Sequence, residues 1–510
     1  MTGDGAELRA RRRAVPNTSE LASTAAARDP EGLALVDAAT GRSMTWADFD
    51  GAVSAEAARL AGVGLQQGDR VAVCLPSSID CAVAMLGAVR AGGIVVPASP
   101  HEPDEDLRRI LEHSGSRFLI SGRTDGDVPV ERVLEPPAAR PGADTVATAT
   151  PVGSGEDIAL LCYTTAARGQ ARGVMLSHRA LLANVEQMAA IDPAPVTAID
   201  RVLVAVPLFH VYGFGPGLLQ CIRAGATAVI ADHTDGRAAL AACTQHHVSV
   251  VLGVPAMYAE LAALPADELR SGLASVRLLI SGAAALRPNV LTAIEQATGL
   301  GVYDGYGLTQ AAPMLASTLV TGRPKPNSVG RALPGVELRL VSDAPTPDDE
   351  ADEVLADLSD TDGDTGMVAV RGPNLFSGYW PDGVGGPDDD GWFQTADIGY
   401  LDADGDLHLV DRVDDTIVVS GFPVYPHEVE EVVAELPQVA EVAVVGVLDD
   451  HTGEAVKAVV VPGPGSTLSE QQVIEHCAQK LPRYKVPIAV EFSGQLPHTV
   501  TGKLYRTKLR

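Results

Sequence analysis

Lysine is the scarcest charged residue of this chain. The 510 residues contain six lysines against 32 arginines, and the first lysine in the chain is Lys325. Such a bias is typical of a GC-rich genome, in which lysine drifts to arginine wherever the chemistry of a position permits. Each lysine that is retained, Lys503 above all, is therefore a candidate for a specific role.

Long hydrophobic runs are absent as well. No window of 18 apolar residues occurs, so we expect no transmembrane helix. The arginine-rich start of the chain is not followed by an apolar stretch, so we expect no signal peptide. The cysteines lack the paired spacing of a metal site and predict buried, reduced side chains in a cytoplasmic protein. They are Cys74, Cys81, Cys162, Cys221, Cys243 and Cys477.

Positive charge is in deficit. The 38 lysines and arginines face 66 aspartates and glutamates, which leaves a formal net charge of −28 at pH 7. A surface this acidic repels nucleic acid and anionic membrane, so neither is an expected partner. The hydrophobic content of 46% and the charged content of 20% are typical of a soluble globular enzyme. The length predicts two to four domains or subdomains.

What the chain does contain is a repeated strand-then-helix pattern. Residues 69–76 predict an apolar strand, 78–91 an alanine-rich helix stopped by Gly92-Gly93, and 94–97 the next strand. Further strands are predicted at 202–206, 225–230, 248–254 and 276–281. Strands separated by helices of this kind predict an α/β fold of largely parallel sheets with helices on both faces.

The character of the sequence changes twice towards its end. Acidic residues with proline and threonine dominate 343–365, which predicts a solvated surface loop. After residues 412–415 the pattern becomes that of a compact α+β domain. We therefore place an N-terminal domain at 1–411, a hinge at 412–415 and a C-terminal domain at 416–510. Its predicted helices are 428–435 and 469–480, and its predicted strands are 438–447 and 455–461.

Several ordered motifs point to the chemistry. Residues 303–310 read Tyr-Asp-Gly-Tyr-Gly-Leu-Thr-Gln, 391–397 read Gly-Trp-Phe-Gln-Thr-Ala-Asp, and 497–503 read Pro-His-Thr-Val-Thr-Gly-Lys. Residues 281–284, Ser-Gly-Ala-Ala, would alone indicate a helix cap. With these motifs in order, residues 30–510 resemble the adenylate-forming (ANL) superfamily of acyl-CoA synthetases, carrier-loading adenylation domains and firefly-type luciferases. The resemblance implies a large N-terminal domain with a small barrel-like subdomain, followed by a small, mobile C-terminal domain.

The resemblance also implies roles in a nucleotide site. Tyr306 would stack on adenine, Thr309 would bond the α-phosphate, and Asp304 would accept from the adenine amino group. Asp397 would hold the ribose hydroxyls with its two carboxylate oxygens, and Arg412 would add a ribose or phosphate contact. The predicted nucleotide-binding residues are Gly282, Ala283, Asp304, Gly305, Tyr306, Asp397 and Arg412.

A moving C-terminal domain is part of the same resemblance. Asp414 falls at the hinge residue, and Gly421-Phe422 fall in the loop that lines the pantetheine tunnel of CoA-dependent members after the domain rotates. Lys503 matches the lysine that bridges the carboxylate and the α-phosphate during adenylation, and a surface lysine is the alternative. The predicted catalytic residues are Lys503, Thr309, Asp414 and Gly421.

The acyl side of the site begins at Pro207-Leu208-Phe209-His210. This run resembles the family element whose aromatic or histidine residue flanks the acyl group, and a packed core histidine is the other interpretation of His210. Gly307, Ala311 and Ala312 are small and predict a roomy pocket for a bulky or polycyclic acid, unless they serve helix packing. The predicted acyl and CoA residues are His210, Gly307 and Phe422.

One motif departs from the family. Members of the family usually carry the sequence Ser-Gly-Thr-Thr-Gly-x-Pro-Lys-Gly, which forms a loop that binds phosphate through backbone N–H groups and hydroxyls. At the corresponding positions, 165–173, this chain reads Thr-Ala-Ala-Arg-Gly-Gln-Ala-Arg-Gly. The expected glycine and both expected hydroxyls are missing at 166–168, and Arg172 takes the lysine position. Gln310 replaces a glutamate that helps to hold Mg²⁺, so no metal ligand is predicted. The degenerate phosphate loop comprises Thr164, Thr165, Ala166, Ala167, Arg168, Gly169 and Arg172.

Both departures affect the step that expels pyrophosphate. Each lost hydrogen bond to a charged phosphate is worth about 1.5–3 kcal/mol. Two such losses slow that step by roughly 10²–10⁴-fold. Recognition of a finished adenylate and attack by a thiol need neither part. The sequence therefore predicts a CoA ligase that transfers the acyl group of a preformed acyl-adenylate to CoA, with ATP-dependent adenylation weak or lost.

This hypothesis makes CoA and acyl-AMP the substrates, suggests a separate adenylating enzyme as partner, and leaves the use of ATP and Mg²⁺ open. Lys503 counts against it, because that lysine belongs to the adenylation conformation. Three other interpretations stay open. They are a complete ATP-dependent acyl-CoA synthetase in which Arg168 and Arg172 replace the missing donors, an adenylation enzyme that loads a carrier protein, and a non-catalytic protein that binds a nucleotide or an acyl-adenylate.

Overall fold

The structure is a computed structural model of the chain. It describes residues 15–123, 128–138, 149–164, 172–232, 235–341, 365–412, 415–419, 422–449, 452–499 and 503–509. The chain divides into two compact units. The first comprises Met1–Glu337 and Val370–Phe393, and the second comprises Leu338–Ala369 and Gln394–Arg510. Within the described ranges, no helix is long and apolar enough to cross a membrane.

Both units contain helices, which are numbered in chain order. The α-helices of the first unit are α1 (Glu20–Arg28), α2 (Trp46–Gly62), α3 (Ile79–Arg90), α4 (Asp104–Ser114), α5 (His178–Ala189), α6 (Gln220–Ala224), α7 (Gly236–His246), α8 (Pro255–Ala262), α9 (Ala266–Gly272) and α10 (Pro288–Thr298). Those of the second unit are α11 (Pro426–Ala434) and α12 (Glu470–Ala478). A π-helix spans Gly213–Leu219, and short 3₁₀ turns span Thr309–Ala311, Arg483–Lys485 and Arg506–Lys508.

The strands up to the end of the larger sheet are β1 (Leu33–Asp37), β2 (Ser43–Thr45), β3 (Arg70–Cys74), β4 (Ile94–Pro97), β5 (Phe118–Ser121), β6 (Arg132–Leu134), β7 (Ile158–Thr164), β8 (Arg172–Ser177), β9 (Arg201–Val204), β10 (Thr227–Ile230), β11 (Val250–Gly253), β12 (Leu278–Ser281), β13 (Val302–Gly307), β14 (Met314–Ser317) and β15 (Arg331–Ala332). They are followed by β16 (Glu337–Val341), β17 (Gly366–Arg371), β18 (Trp392–Leu401), β19 (Leu407–Arg412), β20 (Ile417–Val419), β21 (Phe422–Val424), β22 (Val439–Asp449), β23 (Gly453–Pro462) and β24 (Ala489–Phe492).

Two sheets organise the first unit. The larger has nine strands in the order β15-β14-β13-β12-β11-β9-β10-β1-β2, and the smaller has six in the order β6-β5-β3-β4-β7-β8. The pairings from β13 through β1 and from β6 through β7 are parallel, which confirms the predicted fold class. The outer strands β2, β8, β14 and β15 pair antiparallel, which the strand-then-helix pattern did not predict.

The sequence around β3 shows why these elements form. Residues 71–73 are a continuous apolar run and are buried, as expected for a strand covered on both faces. Ser78 caps α3 by accepting a hydrogen bond from the backbone N–H of Cys81. Gly92, with φ +86°, closes the turn after the helix. The observed helix lies within the predicted range 78–91.

A shared core fixes the strands that carry the nucleotide motifs. Leu203, Val251 and Leu279 come from adjacent strands of the larger sheet and are buried. They belong to one cluster with Tyr258 of α8 and Ile294 of α10. Because these strands are parallel and packed, the loops at their carboxyl ends start from fixed positions. The predicted loop at 281–284 is one of them.

The second unit contains two sheets. Most of a four-stranded sheet in the order β16-β17-β18-β19 lies there, and the barrel-like subdomain stays a prediction. The other sheet has the order β21-β20-β23-β22, with β24 parallel to β23. Val429 and Val433 of α11 and Val473 and Cys477 of α12 pack into its core. These elements match the predicted α+β pattern, while the hinge at 412–415 stays a prediction because residues 413 and 414 lie outside the described residues.

Candidate active site

The carboxyl ends of β12 and β13 bring two predicted nucleotide motifs together. The parallel register places Ser281 opposite Asp304, so the loop that starts at Gly282 leaves the sheet beside Asp304. The Asp304 carboxylate accepts hydrogen bonds from the backbone N–H groups of Gly305 (3.0 Å) and Leu286 (3.3 Å). Ligands of open α/β sheets bind at this edge. The position suits an acceptor for an amino group on a ligand.

Asp304 gives a pH prediction. Burial raises the pKa of this carboxyl to about 7 from its ordinary value of 3.8, although its two backbone donors lower it. Between pH about 4 and 7, Asp304 is therefore protonated in the folded chain and ionised in the unfolded chain. Because the folded state binds the extra proton, the free energy of unfolding falls as the pH rises through that window. Asp304→Asn should remove this contribution, which is at most about 1.4 kcal/mol per pH unit. Urea denaturation of both proteins across the window measures it, and parallel pH profiles would contradict it.

Close packing explains the small residues of the 303–310 motif. A Cβ atom on Gly305 would lie 2.5 Å from Met314 Cε, and one on Gly307 would collide with the carbonyl oxygen of Pro313. The pairing of β13 with β14 is the reason for glycine at 307, so this residue by itself does not indicate a roomy acyl pocket. Of the two interpretations left open by the sequence, packing is the one that the contacts of Gly307 support.

Tyr306 and Thr309 lie on one strand and the turn that follows it. Tyr306 is 7% exposed and pairs with Ala316 of β14. Thr309 opens the 3₁₀ turn Thr309–Ala311 and is half-buried. The stacking residue and the α-phosphate residue of the predicted site therefore share one short segment of backbone.

Buried amides fix the chain after this segment. Asn184 of α5 donates from Nδ2 to the carbonyl oxygen of Met314 (2.8 Å), and its Oδ1 accepts from the Met314 N–H (3.1 Å). Asn374 donates from Nδ2 to the carbonyl oxygen of Ala311 (2.8 Å), and its Oδ1 accepts from Gln187 (3.1 Å). These side chains position the turn that carries Thr309 without belonging to any motif.

Asn184→Ala tests this positioning role. The change leaves the buried N–H of Met314 without its side-chain partner and leaves the Met314 carbonyl with only the longer hydrogen bond from Asn374 Nδ2 (3.4 Å), and an unsatisfied buried group costs about 1–3 kcal/mol. We expect the free energy of unfolding to fall by about 2–4 kcal/mol in denaturant titration. Arg237→Ala, which removes an exposed ion pair with Glu268, is the control and should cost less than about 1 kcal/mol. A loss for Asn184→Ala as small as that of the control would contradict the role.

Gln310 and Arg172 share a partner. The Gln310 amide donates from Nε2 to the Tyr379 hydroxyl (2.9 Å), and the Arg172 guanidinium lies 3.4 Å from the centroid of the Tyr379 ring. Tyr379 packs edge-on against Phe376, with 5.1 Å between ring centroids. A cation over an aromatic ring gains about 0.5–2 kcal/mol. The two positions where the family carries a glutamate and a lysine are thus both engaged with one tyrosine.

The phosphate loop joins β7 to β8. Thr164 pairs with Arg172 across these antiparallel strands, so the intervening residues connect the two strands of a hairpin. The predicted residues Thr165, Ala166, Ala167, Arg168 and Gly169 lie outside the described residues. Of the degenerate loop, the structure places Thr164 and Arg172.

His210 holds the turn that follows β9. Its backbone N–H donates to the Pro207 carbonyl (3.0 Å), and its Nδ1 accepts from the Tyr212 N–H (3.2 Å). Burial lowers the pKa of His210 to about 4. The imidazole is therefore neutral at pH 7, with its proton on Nε2. A packed histidine and an acyl-flanking donor both fit this state.

Asp397 and Arg412 lie opposite each other in the second unit. The antiparallel register of β18 and β19 pairs them, and Arg412 Nε lies 3.2 Å from Asp397 Oδ1. The Asp397 side chain is 17% exposed and that of Arg412 is 40% exposed. A carboxylate and a guanidinium that are both reachable from solvent fit the predicted contacts to ribose and phosphate.

Lys503 lies near this pair within the same unit. The Thr499 N–H donates to the Lys503 carbonyl (2.8 Å), and the Lys503 N–H donates to Thr499 Oγ1 (3.1 Å). The charges of Arg412, Asp397 and Asp415 act on the Lys503 ammonium. The second unit therefore brings together three of the predicted site residues, which are far apart in the sequence.

The remaining C-terminal predictions are placed only in part. Asp414 and Gly421 lie outside the described residues. Phe422 begins β21 and is 39% exposed, and its ring centroid lies 5.2 Å from that of Tyr484. An exposed aromatic next to a second aromatic suits contact with an apolar chain, and its role towards pantetheine stays a prediction.

Sequence reasoning missed Tyr379, Asn184 and Asn374. Tyr379 lies 69 residues from Gln310, and nothing in its neighbourhood marks it as a partner. Asn184 gave a weak signal, because asparagine is unfavourable inside an apolar helix unless its side chain has a partner. A search for polar residues within buried helical stretches would have found it.

The comparisons with known proteins agree with this geometry. The family of AMP-binding enzymes matches residues 22–380, and the AMP-binding enzyme C-terminal domain matches residues 428–503. The chain belongs to the AMP-binding enzyme family. This confirms the resemblance to adenylate-forming enzymes drawn from the sequence motifs.

Similar proteins match nearly the whole chain. Feruloyl-CoA synthase of an Amycolatopsis species is 34% identical over 484 residues, covering 92% of this chain and 94% of the relative. Long-chain-fatty-acid–CoA ligase of Bacillus subtilis (strain 168) is 30% identical over 544 residues, covering 97% and 94%. The structure of ATP-bound MatB from Rhodopseudomonas palustris is 29% identical, with a TM-score of 0.86 over 97% of this chain and 98% of that chain. The predicted fold and the predicted acyl-CoA ligase type of enzyme are confirmed at the level of the family.

Proposed function

We propose that this protein forms an acyl-CoA thioester from an acyl-adenylate and CoA, and that its ATP-dependent adenylation step is weak. The ligase class rests on the family and on relatives that are acyl-CoA ligases. The weak adenylation rests on one observation, the engagement of Gln310 and Arg172 with Tyr379. These groups occupy the positions that would handle Mg²⁺ and the outer phosphates.

The chemistry of Gln310 does not suit a Mg²⁺ ligand. Mg²⁺ prefers anionic oxygen, and an amide brings a neutral one. The Gln310 side chain also donates to the Tyr379 hydroxyl, whereas a glutamate at this position would accept from it. We therefore derive no step through Mg²⁺ at this position.

The proposed step is transfer of the acyl group from the phosphate oxygen of the adenylate to the sulfur of CoA. The CoA thiol gives up its proton to solvent, its sulfur attacks the acyl carbonyl carbon, and the bond from that carbon to the phosphate oxygen breaks with its electron pair going to AMP. AMP leaves as the thioester forms. Asp304 and Tyr306 would hold the adenine, Asp397 and Arg412 the ribose, and Thr309 the α-phosphate. None of these roles requires the loop at 165–173.

A complete ATP-dependent acyl-CoA synthetase is the second candidate, and specific observations favour it. The MatB structure that this chain resembles contains ATP, and the match covers 98% of that chain. Lys503 lies among the charges of Asp397 and Arg412, which suits the lysine that the family uses in adenylation. Taken alone, the comparisons favour the complete reaction, and the residues at 165–173 and 310 favour the partial one.

Two reactions on the purified protein distinguish these candidates. One supplies feruloyl-AMP or another synthetic acyl-AMP with CoA, and the other supplies the free acid, ATP, Mg²⁺ and CoA, with acyl-CoA measured by mass. We expect the acyl-AMP reaction to be about 10²–10⁴-fold faster. Comparable rates would establish the complete synthetase. Product in neither reaction, across aryl and long-chain acyl groups, would overturn the ligase assignment itself.

A further inference from the structure

Tyr379 lies on a backbone segment that is fixed to strand β8, the strand that leaves the phosphate loop. The Trp380 N–H donates to the carbonyl oxygen of Gly173 (2.8 Å), and the Met175 N–H donates to that of Gly378 (3.2 Å). These hydrogen bonds lie directly before and after Tyr379 in the chain. The Tyr379 backbone therefore has little freedom, and its ring is a fixed surface beside the end of the loop.

The same segment is joined to the turn that carries Gln310. The Phe376 N–H donates to the Gln310 carbonyl oxygen (2.8 Å), and the Gln310 side chain donates to the Tyr379 hydroxyl (2.9 Å). Phe376 is 2% exposed, and its ring meets that of Tyr379 edge-on at an interplanar angle of 77°. Backbone, side chain and packing thus all hold the ring in one place.

Arg172 is an exposed side chain that lies on this ring. Its guanidinium carbon is 3.4 Å from the ring centroid. Gly385, with φ +75°, leaves the space for this arrangement, because a Cβ atom there would lie 3.2 Å from Tyr379 Cδ2 and 3.4 Å from Arg172 Nη2. A planar guanidinium stacks on an aromatic face, whereas the ammonium of lysine is a compact, strongly hydrated charge. The change from lysine to arginine at position 172 therefore suits a contact with the ring.

The ring and an outer phosphate compete for the same cation. The ring is fixed and the arginine side chain is flexible, so a phosphate that lies away from the ring is reached only when the stacked contact breaks. A ligand that binds a minor arrangement of a protein loses affinity in proportion to the population of that arrangement. The strength of a cation over an aromatic ring corresponds to a factor of about 2–30 in such a population.

We propose that Tyr379 is a positioning residue that holds Arg172 away from the outer phosphates of ATP. Part of the weakness of adenylation is then a reversible autoinhibitory contact and not a missing group. This inference rests on the proposed function, because it names what restrains the adenylation step of that site. A chain that lacks only the Tyr379 ring, with Gln310 and the phosphate loop unchanged, binds the outer phosphates more tightly than the wild type.

The affinity for ATP relative to AMP tests this role without any need for turnover. The two nucleotides share the adenosine and the α-phosphate, so only ATP reports on a cation that reaches the outer phosphates. In calorimetric titrations in one Mg²⁺ buffer, Tyr379→Leu should lower the Kd for ATP about 2–30-fold and leave the Kd for AMP within about twofold. Adding Arg172→Ala to Tyr379→Leu should cancel the gain. At ATP concentrations below its Kd, acyl-CoA formation from acid, ATP and CoA should rise by the same factor as the affinity.

Tyr379→Phe is the matched control, because it keeps the ring and removes only the hydroxyl that accepts from Gln310. It should retain the wild-type ratio of the two dissociation constants. Weaker binding of both nucleotides in Tyr379→Leu would show a role in stability alone and would overturn the inference. Weaker binding of ATP with unchanged binding of AMP would show that the ring directs Arg172 towards the phosphates, which is the opposite role.

The reaction of acyl-AMP with CoA separates this inference from the proposed function. If the wild type converts acyl-AMP and Tyr379→Leu leaves the ratio of the two dissociation constants unchanged, the proposed function stands and the inference is wrong. If no acyl-AMP is converted and the ratio shifts as expected, the proposed function is wrong and the hold of Tyr379 on Arg172 stands. Conversion of acyl-AMP together with a shift that Arg172→Ala cancels supports both.

Discussion

Rebuilding the phosphate loop is expected to raise the rate of acyl-CoA formation from acid, ATP and CoA by about 10²–10⁴-fold. The variant carries Gln310→Glu together with Thr165→Ser, Ala166→Gly, Ala167→Thr, Arg168→Thr, Ala171→Pro and Arg172→Lys. Two hydroxyls regained on charged phosphate oxygens are each worth about 1.5–3 kcal/mol. Glycine at 166 lets the backbone adopt the φ > 0 conformations of an anion-binding loop, and the carboxylate at 310 supplies anionic oxygen for Mg²⁺.

Tyr379 makes the single substitutions informative. Gln310→Glu replaces a donor to the Tyr379 hydroxyl by an acceptor, which the hydroxyl can satisfy by turning its proton towards the carboxylate. Arg172→Lys removes the planar group that lies 3.4 Å from the Tyr379 ring centroid and leaves a more mobile ammonium. Each change alone should give a small part of the gain, because the step requires the loop and the metal ligand together.

The reaction of acyl-AMP with CoA is the internal control for this variant. Its rate should stay within about threefold of the wild type, since the proposed adenylate contacts are made by Asp304, Tyr306 and Asp397 and by none of the replaced residues. A rebuilt loop that leaves the ATP-dependent rate unchanged would contradict the proposal that the loop limits adenylation. A parallel rise in both reactions would point to better folding rather than a repaired half-reaction.

Asp397→Ala is expected to lower kcat/KM for acyl-AMP and CoA by about 10²–10³-fold. In the proposed site the change removes an anionic acceptor for two ribose hydroxyls, and each such charge-assisted hydrogen bond is worth about 1.5–3 kcal/mol. It also removes the carboxylate that lies 3.2 Å from Arg412 Nε, so the guanidinium loses this ion pair. Both consequences weaken the hold on the adenylate, so the loss should appear in KM as well as in kcat.

Glu475→Ala serves as the control for this change. Glu475 is an exposed carboxylate of the same unit and accepts a hydrogen bond from Gln471 of α12. It should retain the wild-type kcat/KM and thermal stability. Normal activity in Asp397→Ala, with nucleotide affinity unchanged in a binding assay, would remove Asp397 from the proposed nucleotide site and would weaken the assignment of Arg412 with it.

Local sequence patterns predicted the buried parallel strands but not the antiparallel outer strands. The apolar runs at 69–76 and 276–281 were predicted to be strands, and the structure has β3 and β12 there. The prediction worked because a parallel strand that is buried on both faces is a continuous hydrophobic segment in the sequence. The antiparallel outer strands β8 and β14 were missed, because nothing in a local pattern states which neighbour a strand will pair with. Register is set by the hydrophobic face and the turn together, and those act only once the sheet is assembled.

By itself, the sequence determined the family, the order of the motifs and the departures at 165–173 and 310, since these depend on residue identity at fixed spacing. Only the tertiary structure decided which residues the side chains at these positions contact. Gln310 and Arg172 meet at Tyr379, and Asp397 faces Arg412 across a strand pair, because folding brings distant positions within hydrogen-bond reach.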